Sequence, residues 1–324
     1  MSSPSAPART VVVRAPTRID LGGGWTDVPP YCDEQGGFVC NFAIARYAFA
    51  TATSDETYPH PQAPAPGRAE DPLIAAALKR HGSRGVRVSI ESDFPVGAGL
   101  GGSSAASAAV QGALAAFRRQ RWDRAAIAEE GRRIEVEELG VAGGRQDHYA
   151  ATHGGALALT FTDRVAVRRL RIIDETIAAL ERRALLIYTG ESRISGETIR
   201  GVLDAYRDRD AKVCDALIAM KSLAGQMADA LEHGDLRALG ALLAEHWLHQ
   251  RALHPAIPTP RIDEIVMRAQ QAGALGWKAM GASGGGCVLV LAGEENVEGV
   301  REAIAPLGSF VDWTWDRDGL SIKP

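Results

Sequence analysis

Polar and apolar positions along the chain follow two rhythms. In "GVRVSIESD" (85–93), Val86, Val88 and Ile90 alternate with polar residues, the period of a half-buried strand. "TVVVRAPTRIDLGGG" (10–24) is β-rich and ends in a glycine turn. "GGFVCNFAIARYAFATAT" (36–53) mixes β-branched and aromatic residues with small ones and reads as a second β-rich block. "GGALALTF" (154–161) and "ALLIYTG" (184–190) read as further strands. Helical spacing takes over in "SSAASAAVQGALAAFRRQ" (103–120) and over 123–139. "DPLIAAALKRHG" (71–82) predicts a short helix capped by Asp71, with Pro72 in its first turn. Residues 195–274 are mostly helical, most strongly in "LRALGALLAEHWLHQRAL" (236–253), and 276–316 read β-loop-β-α-β. The Pro- and Ala-rich stretch 54–72 reads as an exposed loop, and residues 1–9 as a frayed end. No internal repeat is visible. The pattern predicts an α+β protein with a boundary near 180–195, set as two domains over 10–185 and 186–324.

Composition narrows the class. A chain of 324 residues with 46% hydrophobic and 23% charged residues can bury a sizeable core in two lobes. A net charge of −4 and a pI near 6.1 give a polyanion nothing to hold, so neither nucleic acid nor a membrane surface is expected as a partner. Only five of the 36 basic residues are Lys, so a fixed positive charge at a site is expected to be Arg. The four cysteines form no CxxC pair and no signal peptide precedes them, which predicts a reduced, cytoplasmic protein.

The chemistry gathers at "PVGAGLGGSSAAS" (95–107), where four glycines fall within six residues between a strand and a helix. Gly97, Gly99 and Gly102 satisfy GxGxxG, but the acidic residue that a dinucleotide site needs about 20 positions on is only Asp123, in a helix-like stretch. A P-loop fails because the sequence has no GK[ST]. A plain tight turn needs fewer glycines than this. Free amides at a helix N-terminus, with the positive end of its dipole, bind an anion without any lysine. Pro95, Gly97, Ala98, Gly99, Leu100, Gly101, Gly102, Ser103 and Ser104 therefore read as a phosphate cradle.

This stretch resembles the phosphate-binding motif of the GHMP kinases, the galactokinase, homoserine, mevalonate and phosphomevalonate kinase superfamily. "APTRIDLGGGWTDVPPY" (15–31) resembles the family's first motif and "MGASGGGCVLVL" (280–291) its third. The resemblance implies an N-terminal α/β domain with the Gly-rich loop, a C-terminal ferredoxin-like α+β domain, and an ATP- and Mg²⁺-dependent kinase site between them. Phosphoryl transfer asks the protein to position a hydroxyl, accept its proton and neutralise charge. By resemblance Asp147, in "GGRQDHYA", is the base and Arg18, in "PTRIDL", sits by the γ-phosphate, with no lysine competing. Asp27 resembles the residue that holds sugar hydroxyls, flanked by Gly24, Trp25 and Thr26. Ser104 and Glu135 are the magnesium candidates, although Glu137 and Glu138 leave the register open. Gly284, Gly285 and Gly286 are expected to form a loop closing over the substrate. Arg145 either binds a phosphate already on the sugar or is solvated. His246 and His249 read as helix histidines rather than a metal pair.

The first motif looks closest to the sugar anomeric kinases, the D-glycero-D-manno-heptose 7-phosphate kinases and the fucokinases. Trp25 leans toward the fucokinases; the length, "LIYTGESRIS" and "GDLRALGALLAEHW" lean toward the heptose phosphate kinases. The expectation is therefore phosphorylation of heptose 7-phosphate for nucleotide-sugar or surface-glycan synthesis. A kinase for an unphosphorylated sugar is the alternative. A non-catalytic sugar- or nucleotide-binding homologue is the third reading.

Overall fold

The structure is a computed structural model and describes residues 9–55, 71–82, 85–121, 123–191 and 196–323. Its first sheet grows from one long antiparallel pair, β1 (Thr10–Gly22) and β2 (Gly37–Ser54), joined through the short helix α1 (Tyr31–Gln35). Arg18 faces Ala43 across this pair and Asp20 faces Asn41. After α2 (Pro72–His81) comes β3 (Val86–Ser92), which pairs with one half of β2. Helices α3 (Gly102–Phe117), α4 (Arg124–Arg133) and α5 (Gln146–His153) then precede β4 (Ala156–Phe161) and β5 (Val165–Arg169). β4 takes the other half of β2 and carries β5 outside it. Both α2 and its cap are as the sequence predicts: Asp71 accepts the Leu73 N–H at 2.9 Å and Gly82 closes the far end. Most of the stretch expected to be an exposed loop, 56–70, lies outside the described residues, as do 1–8 and 192–195.

Small side chains decide how the layers stack. Ala105, Ala108, Ala109 and Ala113 of α3 lie on Val13, Ala15, Ala48 and Ala50 of the sheet, so helix and sheet approach closely. The opposite sheet face, with Ile19, Leu21, Cys40 and Phe42, meets Leu223, Ala224, Met227 and Leu231 of a long helix from the second half. That half runs α6 (Asp174–Arg183), β6 (Ala184–Tyr188), α7 (Gly196–Arg207), α8 (Ala211–Glu232), α9 (Leu236–Ala252) and α10 (Pro260–Gln271). It closes with β7 (Ala274–Ala279), β8 (Cys287–Ala292), α11 (Val297–Ile304) and β9 (Ser309–Phe310). The second sheet has the order β7-β8-β6-β9 and is antiparallel throughout. Its alternate residues face opposite cores: Leu186, Leu289 and Leu291 on one side, Leu185, Ile187, Val288 and Val290 on the other.

β6 pairs only within this second sheet, so a cut after residue 185 would split a strand, and we place the boundary ahead of Ala184. The chain then returns. β10 (Ser321–Ile322) adds to the free edge of β1, and Trp315 bridges Ile44, so the first sheet is finished by residues numbered within 186–324. No described helix is long and apolar enough to cross a membrane.

Candidate active site

The Gly-rich loop leaves β3 and feeds α3, as its position in the sequence predicts. Gly97, Gly99 and Gly101 all adopt left-handed backbone, with φ of 72°, 74° and 74°. Their smallness is also used: a Cβ on Gly99 would sit 2.8 Å from the Met280 carbonyl, and one on Gly101 would lie 3.1 Å from the Asp147 carboxyl carbon. The loop and the first turn of α3 form one wall of a cavity of about 620 Å³ between the two halves of the protein. Pro95, Ala98, Leu100, Gly102, Ser103 and Ser104 line it together with these glycines. Leu73, Ile90, Phe94 and Ala106 give its outer end an apolar wall.

Facing the loop is a pair of opposite charges. Arg18 donates to Asp147 through Nε at 2.8 Å and Nη2 at 2.9 Å, and its Nη1 bonds the Gly99 carbonyl at 2.7 Å. The Arg18 side chain is 4% exposed and that of Asp147 26%, so the carboxylate is the member presented to the cavity. Three contacts on Arg18 fix where Asp147 can point, which is what a group handling a reacting hydroxyl requires.

Asp27 is buried beside them. One of its oxygens accepts the N–H groups of Arg145 (2.8 Å) and Gln146 (2.9 Å) at the start of α5. Gly144 must be glycine here, because a Cβ would overlap that carboxylate. Burial pushes the Asp27 carboxyl up to about 6, against the lowering by the Gln146 amide and with a further push from the Asp147 charge. The folded protein thus holds this proton more tightly than the unfolded chain does. Asp27 contributes stability that is complete below its ordinary value of 3.8 and is lost as pH rises through about 6. Asp27→Asn, whose amide oxygen accepts the same two N–H bonds, should therefore melt higher than wild type at pH 7.5. The gain should be about 1–3 kcal/mol and fade toward pH 4. Thermal melts over that range check this; a uniform loss of stability at every pH would contradict it.

Glu135 lies on a single π-helical turn, Ile134–Glu138, that follows α4. It accepts from Ser103 Oγ at 2.6 Å and from Ser104 Oγ at 3.5 Å, and His148 stands 3.3 Å away. Glu137 and Glu138 instead pair with Arg80 on the surface, so of the three Glu135 is the one that lines the cavity. A carboxylate and two hydroxyls at a helix N-terminus are hard oxygen donors. They fit a Mg²⁺ ion that brings most of its ligands as phosphate and water. Among the described residues no group of three or more His, Cys, Asp or Glu makes a self-sufficient metal cage.

Two expectations are corrected, and one residue is added. The addition is Lys278, on β7 of the second sheet, which is fully buried and ion-pairs with the cavity-lining Asp20 at 2.8 Å. Burial pulls the Lys278 ammonium down; for Asp20, burial would raise the carboxyl, but Lys278 and Arg18 outweigh it and hold it low. Gly284 and Gly285 do not line the cavity. A Cβ on Gly285 would meet the Glu191 carbonyl at 2.7 Å, and Cys287 N–H bonds Ala98 O at 2.8 Å, so this loop clamps the Gly-rich loop by backbone contact. Gly281 and Ala282 reach the cavity in its place. Arg145 sends its guanidinium toward Glu129, 3.7 Å away, and not into the cavity; its main chain does the work by holding Asp27.

The remaining members of the first motif support the turn. Gly24, Trp25 and Asp27 line the cavity, whereas Thr26 is fully buried and its hydroxyl donates to Gly23 O at 2.7 Å. Trp25 holds a positive φ of 81°, a cost no ordinary turn demands of a tryptophan. His246 accepts the Gly23 N–H through Nε2 at 3.0 Å, and burial lowers its pKa to about 3. It is a neutral core histidine bracing the turn, in keeping with the helix reading.

Comparison with known proteins places the chain in a family and agrees with its fold. Residues 72–155 match the family profile "GHMP kinases N terminal domain" and residues 227–307 match "GHMP kinases C terminal". The chain is 28% identical to the D-glycero-alpha-D-manno-heptose 7-phosphate kinase of Campylobacter jejuni, over 96% of this chain and 98% of that protein. It is also 28% identical to the bifunctional fucokinase/GDP-fucose pyrophosphorylase of Arabidopsis thaliana, over 93% of this chain but only 32% of that longer protein. In fold it matches a D-glycero-D-manno-heptose 1-phosphate kinase from Bacteroides thetaiotaomicron with a TM-score of 0.78, at 24% identity over 97% of this chain and 99% of that one.

Proposed function

The chain belongs to the GHMP kinases, and on that premise we propose that it transfers the γ-phosphoryl group of ATP to the anomeric hydroxyl of a sugar, heptose 7-phosphate first among the candidates. The observation that carries this is the Arg18–Asp147 pair, packed against the Gly-rich loop and lining one cavity with a cradle of helix-terminal amides. The amides of Gly102, Ser103 and Ser104 hold the phosphates, and the adenine lies along Leu73, Ile90 and Phe94. Bound at Ser104 and Glu135, Mg²⁺ would neutralise charge on the nucleotide phosphates. Asp147 accepts the proton of the sugar hydroxyl as its oxygen bonds to the γ-phosphorus and the bond to ADP breaks. Arg18 keeps that carboxylate aimed, and Asp27 accepts a further sugar hydroxyl.

Agreement with the Campylobacter heptose 7-phosphate kinase along the full length of both chains favours that substrate class. One observation favours the second reading, an unphosphorylated sugar as in fucokinases: among the described residues Arg18 is the one arginine lining the cavity, and it is committed to Asp147. A coupled ADP-release assay with Mg-ATP and D-glycero-D-manno-heptose 7-phosphate, L-fucose, D-galactose, D-mannose or D-glucuronate decides between them. Turnover of the heptose phosphate at least tenfold above the rest is expected. Preference for fucose would hand the assignment to the second reading, and no turnover of any sugar would remove both.

A further inference from the structure

Asp20 stands two residues along β1 from Arg18, on the same strand face, and lines the same cavity. Its two side-chain oxygens are used unequally. Oδ2 takes Lys278 at 2.8 Å, and the same ammonium bonds the Asp20 carbonyl at 2.9 Å. Oδ1 has no hydrogen-bond partner, although the residue is only 2% exposed. A buried carboxylate oxygen left without a donor is costly, and a buried ion pair by itself adds little stability, because desolvation offsets its attraction. The turn around it is built for closeness: a Cβ on Gly24 would overlap Asp20 Oδ2 and would come within 3.0 Å of the Gln146 amide nitrogen. In that turn the Trp25 indole N–H is also buried without a partner.

We propose that Asp20 is a specificity-determining residue that accepts a sugar hydroxyl through Oδ1, held in place from the second domain by Lys278. The inference rests on the sugar-kinase reading and extends it. An ionised carboxylate only accepts hydrogen bonds, so it selects a hydroxyl donor and rejects a position that lacks one. Asp20 and Asp27 then form two acceptors on one side of the cavity, a spacing suited to a polyol and wasted on a substrate with a single hydroxyl. Lys278 arrives on β7, so this acceptor is complete only when the two domains are together.

Asp20→Asn tests this. Lys278 can still donate to the amide oxygen, but an NH₂ group then stands where the hydroxyl proton pointed. KM for the sugar should rise about 10–100-fold, the worth of one hydrogen bond to a charged group, with KM for ATP within about twofold. The decisive readout uses monodeoxy analogues of whichever sugar in the screen turns over best. Wild type should lose about 10–100-fold in kcat/KM when one particular hydroxyl is removed, and Asp20→Asn should show no further loss for that analogue. A purely structural role for the pair would not move this coupling. If the variant discriminates every analogue as wild type does, the inference fails and the kinase reading stands. If wild type turns over no sugar, the sugar reading fails first and takes the inference with it. Should Asp20→Asn not fold, Asp20→Asn/Lys278→Met leaves no charge buried and carries the same comparison.

Discussion

Asp147→Asn is expected to lower kcat by about 10²–10⁴-fold, the usual contribution of a positioned acid–base group. The substitution keeps the shape and leaves an oxygen for Arg18, but it removes the charge that accepts a proton and one of the two acceptors of the bidentate pair. Asp147 is presented to the cavity while Arg18 is buried behind it, so the loss should fall on turnover. KM for ATP should change little, because in the proposed arrangement the amides of α3, and not Asp147, hold the phosphates. Steady-state kinetics with both substrates varied give the test. Turnover within about threefold of wild type would remove Asp147 from the chemistry and leave it as a partner for Arg18 alone.

Lys278→Met should cost about 3–5 kcal/mol of stability, the largest effect on folding among the site residues. Both members of the pair are almost completely buried, with side-chain exposures of 0% and 3%. Removing the ammonium strands the Asp20 carboxylate in a dry site, where it must take up a proton or draw in water. Adding Asp20→Asn should recover most of the loss, because no net charge is then left inside. Urea unfolding of the wild type, both single variants and the double variant closes the cycle. A loss below about 1 kcal/mol for Lys278→Met, or no recovery in the double variant, would show that the pair is more accommodating than its burial implies.

The parts of the site that were legible in the sequence are those carried by one continuous segment. The Gly-rich loop announces itself because strand, glycines, serines and helix follow one another without a break, and Asp71 and Pro72 mark the start of α2 in the same local way. What escaped depends on distance or on rotation. Lys278 sits in a mostly apolar strand far from Asp20 in sequence, and nothing local says that it crosses between domains. In the sequence Arg145 reads as a phosphate ligand or a solvated side chain, partly because it stands two residues from Asp147. At the start of a helix, residues two apart diverge by about 200°, so only one of them can face the cavity. The three glycines near 285 correctly signalled a close approach, but the approaching group is the backbone of Ala98 and Glu191. Helix α5, which carries Asp147 and is capped by Asp27, was hidden because its cap comes from more than a hundred residues upstream.

The return of β10 to the edge of β1 has a consequence for how the protein is made. Arg14 meets Ser321 across a sequence separation of 307 residues. While a ribosome is still producing the second half, the first sheet has all its other strands but leaves one margin of β1 open to pair with whatever comes by. Synthesis at about 5–20 residues per second holds it in that state for roughly 8–30 s. Completion of the earlier unit thus waits on β10, translated about 150 residues after β5, and until it emerges that margin of β1 stays open to non-native pairing.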